Sequence, residues 1–257
     1  MALVAVLAPV VSPHDPVQIY FGKSFTPPNG EFLLGTDNVG RDLLSRIIWG
    51  ARISLVVGVA SVAIGATLGA FVGLASAYFG GTFDLLAQRL IDSLMAFPTL
   101  ILGIAIVGVL GPSLTNVIAA IAFVMFPQAA RVIRSAALSA RRNLYIEAAR
   151  AIGASNLRIM MGHLLPQCVA PFIIIASAEI GGAIVVEASL SFLGVGVPPP
   201  EPSWGGILAG AARRYAERAP WIGIFPGIAI SMTVFGFNYL GDALRDILDP
   251  RLRGRRS

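Results

Sequence analysis

Residues 53–83 read ISLVVGVASVAIGATLGAFVGLASAYFGGTF, and no Asp, Glu, Lys or Arg interrupts them. A helix needs about 20 apolar residues to cross the hydrocarbon of a bilayer, so this run is long enough to span one. Residues 93–130 are also free of these charges, and Gly111-Pro112 reads as a turn that divides them. One span then ends near Leu110 and another runs from about Ser113 to Phe126. A fourth segment, Leu164 to about Leu193, is apolar apart from Glu179 and Glu187, and a fifth runs from Ala219 to Gly241. No soluble core needs five such runs. The expected fold is an all-α membrane protein.

Composition agrees. The 257 residues are 56% hydrophobic and 13% charged, where a soluble domain carries roughly a quarter charged residues. Disorder is excluded, because disordered chains are polar and highly charged. A disulfide scaffold is excluded because Cys168 has no second cysteine to pair with. The net charge of +5 would suit nucleic acid, but its placement gives a membrane explanation. Arg89, the arginines of 131–158 and those of 245–256 make twelve basic residues on one side of the spans. Lys23, Arg41, Arg46, Arg52, Arg213, Arg214 and Arg218 make seven on the other. The positive-inside rule then puts the 131–158 loop and the C-terminus in the cytoplasm.

Met1–Val11 is apolar but too short to span, and it lacks the positive leading region of a signal peptide. It reads as an interfacial segment or, preferably, as the tail of a first span. In residues 41–52, RDLLSRIIWGAR, Leu43, Leu44, Ile47 and Ile48 share one helical face, which predicts a helix lying in the outer interface. Gly65, Gly69 and Gly73, and again Gly223 and Gly227, have the four-residue spacing that lets membrane helices approach closely. Kinks are expected at Pro98, Pro127, Pro171 and Pro226. Asp84, Gln88 and Asp92 form a polar stripe expected to face headgroups or a partner.

Catalytic patterns fail at single residues. Gly22-Lys23-Ser24 ends like a phosphate loop, but Val17 stands where the leading glycine is needed. His14 and His163 belong to no HExxH metal motif. Gly153-Ala154-Ser155-Asn156 lacks the second glycine of a nucleophile elbow. Asp242 has no second intramembrane aspartate beside it. No catalytic residue and no metal site is expected. Glu179 and Glu187 remain, and a carboxylate inside a span defaults to a functional hypothesis. They sit roughly 80° apart around a helix. Either they line a substrate path or relay protons, with Ser189 and Ser191 as further path candidates, or they bond one helix to another.

Residues 131–166 read RVIRSAALSARRNLYIEAARAIGASNLRIMMGHLLP. Leu144, Ala148, Ala151 and Ile152 share a helical face and Gly153 suits a helix end. An apolar helical face among arginines, held between two spans, suits a groove on another protein.

At this point the chain resembles the inner-membrane permease subunits of ATP-binding-cassette importers. Their signature is EAA, three residues, glycine, nine residues, then an apolar residue and Leu-Pro. Glu147-Ala148-Ala149, Gly153 and Leu165-Pro166 match it, and His163 stands where isoleucine is general. Histidine there is similar to the dipeptide, oligopeptide and nickel branch. Gly35-Thr36-Asp37-Asn38-Val39-Gly40-Arg41-Asp42 resembles that branch's GTDxxGRD motif, and Glu187 to Gly194 its EASLSFLG segment. Pro200 to Gly205 resembles its PxPSWG loop, and Gly241-Asp242 through Asp249-Pro250-Arg251 its tail.

The resemblance implies a type I importer permease fold of five full transmembrane helices plus a short or truncated first helix. Its parts would be 1–51 (partial first helix, external loop and interfacial helix), 52–242 (the transmembrane domain) and 243–257 (a cytoplasmic tail). It further implies half of a pathway for di- or oligopeptides, with nickel as the alternative cargo, in a bacterial inner membrane. The subunit would bind no cofactor itself. ATP and magnesium would be used by two cytoplasmic ATP-binding subunits contacted through Glu147–Pro166. A second homologous permease subunit and an extracytoplasmic binding protein, reached through Pro200, Trp204 and Gly205, complete the implied partners, alongside membrane lipid; nucleic acid is not among them. A proton-coupled secondary transporter using Glu179 and Glu187, or a structural membrane subunit, are the readings from other classes.

Overall fold

A computed structural model describes residues 1–212 and 215–248; Arg213, Arg214, Asp249, Pro250 and Arg251 onward, with their part in the charge pattern and the tail motif, lie outside the described residues. The described chain is helical, and its strand-like geometry is one bridge, Thr36 with Asp42. Helices α1 (Ala2–Val6) and α2 (Ala8–Val11) precede an extended segment; α3 (Leu43–Phe79), α4 (Gly81–Met95), α5 (Thr99–Leu110) and α6 (Leu114–Arg141) follow. Then come α7 (Leu144–Ala151), α8 (Asn156–Ile159), α9 (Leu165–Phe192), α10 (Trp204–Ile207) and α11 (Trp221–Leu248).

Among the described residues, four helices are long and apolar enough to cross a membrane: α3, α6, α11, and α8 with α9 as one run, Asn156–Phe192. A fifth crossing exists only if α4 and α5 count as one broken span. The second span expected from the sequence is therefore not one continuous helix. Its break, Ala96 to Pro98, falls at the expected proline. Pro127, Pro171 and Pro226 instead lie inside α6, α9 and α11. A proline within a membrane helix is tolerated where neighbouring groups satisfy the freed carbonyl.

Contacts divide the chain into two units. The first gathers residues 1–60, 100–121 and 181–236; the second gathers 61–99, 122–180 and the chain from 237. In the second unit the glycine ladder packs as its spacing suggests. A Cβ built on Gly65 would come within 2.6 Å of the Ala122 carbonyl oxygen, and one on Gly69 within 2.5 Å of that of Phe126. Gly73 is closer still to the Ala130 carbonyl. Partner numbers rise together by four, so α3 and α6 run parallel with their backbones in contact. The second pattern does not repeat this, because a Cβ on Gly227 would meet nothing within 4 Å. Asp84, Gln88 and Asp92 are in addition tied to the chain's own helices. Arg134 donates to both Asp84 oxygens at 2.7 and 2.6 Å, Arg131 donates to Asp92 at 2.7 Å, and Gln88 donates to Ser76 at 3.1 Å. These partners lie 39 to 50 residues away for the two acids, beyond any local pattern.

In the first unit, residues 43–52 are the opening turns of α3 and not a separate surface helix. Their polar side is buried too. Asp37 accepts from the Val39 and Arg41 backbone N–H groups at 3.0 and 2.9 Å and from Arg41 Nε at 2.7 Å. Arg46 Nε lies 3.6 Å from the same carboxylate, and its terminal nitrogen donates to the Pro16 carbonyl at 3.1 Å. Asp42 caps α3 by accepting from the Ser45 N–H at 2.9 Å. Gly35 (φ +78°) and Gly40 (φ +87°) supply the left-handed turns between these groups. GTDNVGRD is thus a turn and helix cap.

Candidate functional site

The segment that resembled a docking loop is helical at both ends. Helix α6 extends to Arg141, so only about 142–164 lies between the long helices. Within it α7 presents two faces. Ile146 and Ala149 are buried, in one core cluster with Leu74, Tyr78, Ile133, Ala137, Ile159, Leu164 and Cys168. Glu147, Ala148 and Ala151 are exposed, as are Leu144 (81%) and Ile152 (86%). The triplet is therefore split, with Ala149 against the core and Glu147 and Ala148 outward.

Gly153 ends α7 by a recognisable rule. Its φ of +78° is left-handed, the Gly153 N–H donates to Arg150 at 2.9 Å and the Ala154 N–H to Ala149 at 3.0 Å. That pair of bonds is a Schellman motif, which needs a residue without a Cβ penalty at this position. A Cβ on Gly153 would meet nothing within 4 Å, so the requirement is conformational. The end of α3 is the floor beneath. Arg141 donates to the Ala77 carbonyl at 2.8 Å, the Tyr78 hydroxyl to Asn156 at 2.7 Å, and Arg150 stands 5.4 Å over the Tyr78 ring. His163 is half-buried, its ring 6.4 Å from that of Tyr145 and its Nδ1 3.3 Å from the Arg158 carbonyl. Leu165 packs on the core cluster; Pro166 is exposed in the first turn of α9, where a missing N–H is tolerated.

The two intramembrane acids occupy different surroundings. In the first unit Glu187 is fully buried, and its two oxygens accept from Ser54 at 3.0 Å and Ser191 at 2.8 Å. Ser54 in turn accepts from the Trp204 N–H at 3.3 Å, and Ser203 donates to Ser191 at 3.5 Å. Trp204 is fully buried with its indole N–H on the Ile47 carbonyl at 2.9 Å. Gly205 is pressed on α9, where a Cβ would lie 2.5 Å from the Ala188 Cα. Of the three residues expected to face outward, only Pro200 is exposed; the PxPSWG turn folds inward because its tryptophan and glycine complete the Glu187 node. Ser189 is partly exposed and donates to its own helix at Val185, 2.8 Å away. In the second unit Glu179 is buried, and its Oε2 has no hydrogen-bond partner among the described residues.

Sequence reasoning placed Glu187 but not Ser54, whose hydroxyl is 133 residues away. It also passed over Tyr78 and Asn156, which had no local signal.

Comparisons with known proteins add to this geometry. Residues 65–254 match the family model described as binding-protein-dependent transport system inner membrane component. The chain is 46% identical, over 98% of its length and 85% of the relative's, to a putative peptide transport system permease protein of Brucella suis. It is 44% identical to the di/tripeptide transport system permease protein DppC of Pseudomonas aeruginosa, over 97% of this chain and 84% of that one. It is 42% identical to the glutathione transport system permease protein GsiD of Escherichia coli, over 99% and 84%. Among solved structures, the MetNI methionine ABC transporter in an inward-facing form matches with a TM-score of 0.65 at 20% identity, covering 80% of this chain and 96% of that one.

Proposed function

Because this chain belongs to the binding-protein-dependent transport system inner membrane components, multi-pass membrane subunits with the type I ABC importer permease fold, we propose that it forms half of an ATP-driven uptake pathway for di- and oligopeptides. The peptide cargo follows the names of its relatives, each of which is a peptide or glutathione permease. In this reading the chain does no chemistry. A second permease subunit completes the pathway, two cytoplasmic subunits bind and hydrolyse ATP with magnesium, and a binding protein delivers substrate outside. The 142–164 segment and the C-terminus lie in the cytoplasm.

The observation that carries the coupling role is the exposed row Leu144, Ala148, Ala151 and Ile152 on α7. An exposed apolar row on a short helix has no reason to persist unless a partner covers it. Glu147 beside that row supplies a charge for orientation. Force applied to α7 passes to α3 through Ile146, Ala149 and Tyr78. Alternating access then follows as the ATPases close and the two permeases rock.

Gly153→Asp tests this. An aspartate at φ +78° strains the turn that ends α7 while leaving the spans intact. Expected is a subunit that still assembles, with substrate-stimulated ATP hydrolysis no longer linked to uptake in proteoliposomes. Normal uptake by this variant would remove α7 from the mechanism. The unpartnered Glu179 oxygen favours a second reading, a proton-coupled carrier. Uptake that is vanadate-sensitive and survives collapse of the proton gradient eliminates it.

A further inference from the structure

Two cavities adjoin along the opening turns of α3, in the first unit. One, of about 530 Å³, is lined by Asp15, Trp49, Arg52, Val56 and Glu201 among others. The other, of about 520 Å³, is lined by Ala5, Val6, Leu55, Val59 and Ala60 with Arg52 and Val56 again. They share Arg52 and Val56 and so meet along one side of α3; both walls are mainly apolar, and the first also carries the charged side chains Asp15, Arg52 and Glu201.

The head lies at a defined depth. Arg52 is the last charge before the uncharged run 53–83, so it stands where hydrocarbon meets headgroups. Trp49, one turn earlier, has its ring 6.0 Å from the Arg52 guanidinium, and tryptophan is enriched at that level. Arg52 is exposed and makes no ion pair among the described residues. Asp15 has one oxygen committed to the Val17 N–H at 2.8 Å, leaving the other available, and Glu201 is exposed. One guanidinium and two carboxylates lining the same cavity complement a phosphate that carries an ammonium. It disfavours a phosphate carrying only hydroxyls, whose negative charge would meet both acids.

We propose that this groove binds a membrane phospholipid with a primary-amine headgroup. The phosphate pairs with Arg52, the ammonium sits between Asp15 and Glu201, and one acyl chain lies along Leu55, Val56 and Val59 against α1. Transfer of an acyl chain from neighbouring lipid gains little, because the two environments are equally apolar. Selectivity therefore resides in the headgroup.

The test uses the full chain, purified with the subunits that accompany it, in mixed micelles holding equal phosphatidylethanolamine and phosphatidylglycerol. Native mass spectrometry reads the lipid retained. Expected is a preference for phosphatidylethanolamine of about tenfold, the worth of one charge-assisted hydrogen bond. Arg52→Gln loses the adduct. Asp15→Asn with Glu201→Gln keeps a lipid but brings the ratio near one. Val56→Trp, which fills the shared part of the groove and leaves the charges alone, also loses the adduct and decides the matter if Arg52→Gln does not assemble. Equal retention of the two lipids by the wild type overturns the proposal, as does an unchanged adduct in either single variant. A photo-crosslinker at Val59 that captures a polypeptide in place of lipid overturns it too, and identifies the groove as a subunit interface.

Discussion

A single carboxylate shows how much chemistry one residue concentrates here. Glu187 bears no arginine or lysine partner among the described residues, and two serine hydroxyls satisfy its oxygens. Hydroxyls rotate, so each can donate to an oxygen or accept from an amide. Glu187→Gln therefore keeps both bonds, with one hydroxyl reversed. Glu187→Leu leaves Ser54 and Ser191 buried without an acceptor, which costs about 2 kcal/mol for the pair. Thermal melting followed by gel filtration should give Glu187→Gln a wild-type midpoint and Glu187→Leu a clearly lower one. Equal midpoints would mean the hydroxyls find other acceptors. The sequence could identify Glu187 as expensive, because a charge inside an apolar run is visible locally. It offered the same two readings for Glu179, with path lining less favoured there, but could not see that Glu187 is fully bonded while one Glu179 oxygen is not. That difference depends on Ser54 and Trp204, which reach Glu187 only through the fold.

Helix against helix, the outcome turns on which faces find a partner. Gly69 sits with its Cα against the Phe126 carbonyl, so Gly69→Val forces α3 and α6 apart. Overpacking of this kind costs about 1–3 kcal/mol. Gly227→Ala, which adds a methyl into open space, is the matched control. The expected result is a lowered yield of monodisperse protein and a lowered melting midpoint for the first variant only. Both glycines belong to the same kind of four-residue repeat. Spacing reveals that a face is small, but not that another backbone lies against it. The α7 helix was more legible because its determinants are local: an apolar period and a glycine ending, within the ten residues from Leu144 to Gly153. The opening of α3 was less legible. Its apolar face was correctly drawn, but Asp37, from outside the helical window, pairs with Arg46 and buries the other side.

At the scale of the whole chain, the long charge-free runs did most of the work, because a bilayer punishes every exception to them. Four of the five expected crossings are unbroken helices; the remaining one is interrupted at Pro98, where a short helix of 12 residues follows. Apolar composition alone does not distinguish a straight crossing from a broken one. One consequence belongs to Cys168. It is the chain's single thiol, and it lies 1% exposed in the cluster beneath α7. A maleimide reaches it only when that cluster opens, so the labelling rate relative to denatured protein measures the local opening equilibrium. Ile146→Ala, which hollows the cluster, should speed labelling by about tenfold or more, whereas Glu187→Gln should leave the rate unchanged. An equal acceleration by Glu187→Leu, which destabilises the other unit, would show that the thiol is released by global unfolding. With its one thiol placed there, the protein holds a built-in stopwatch for the lifetime of the seat on which α7 rests, readable with no cysteine engineered in.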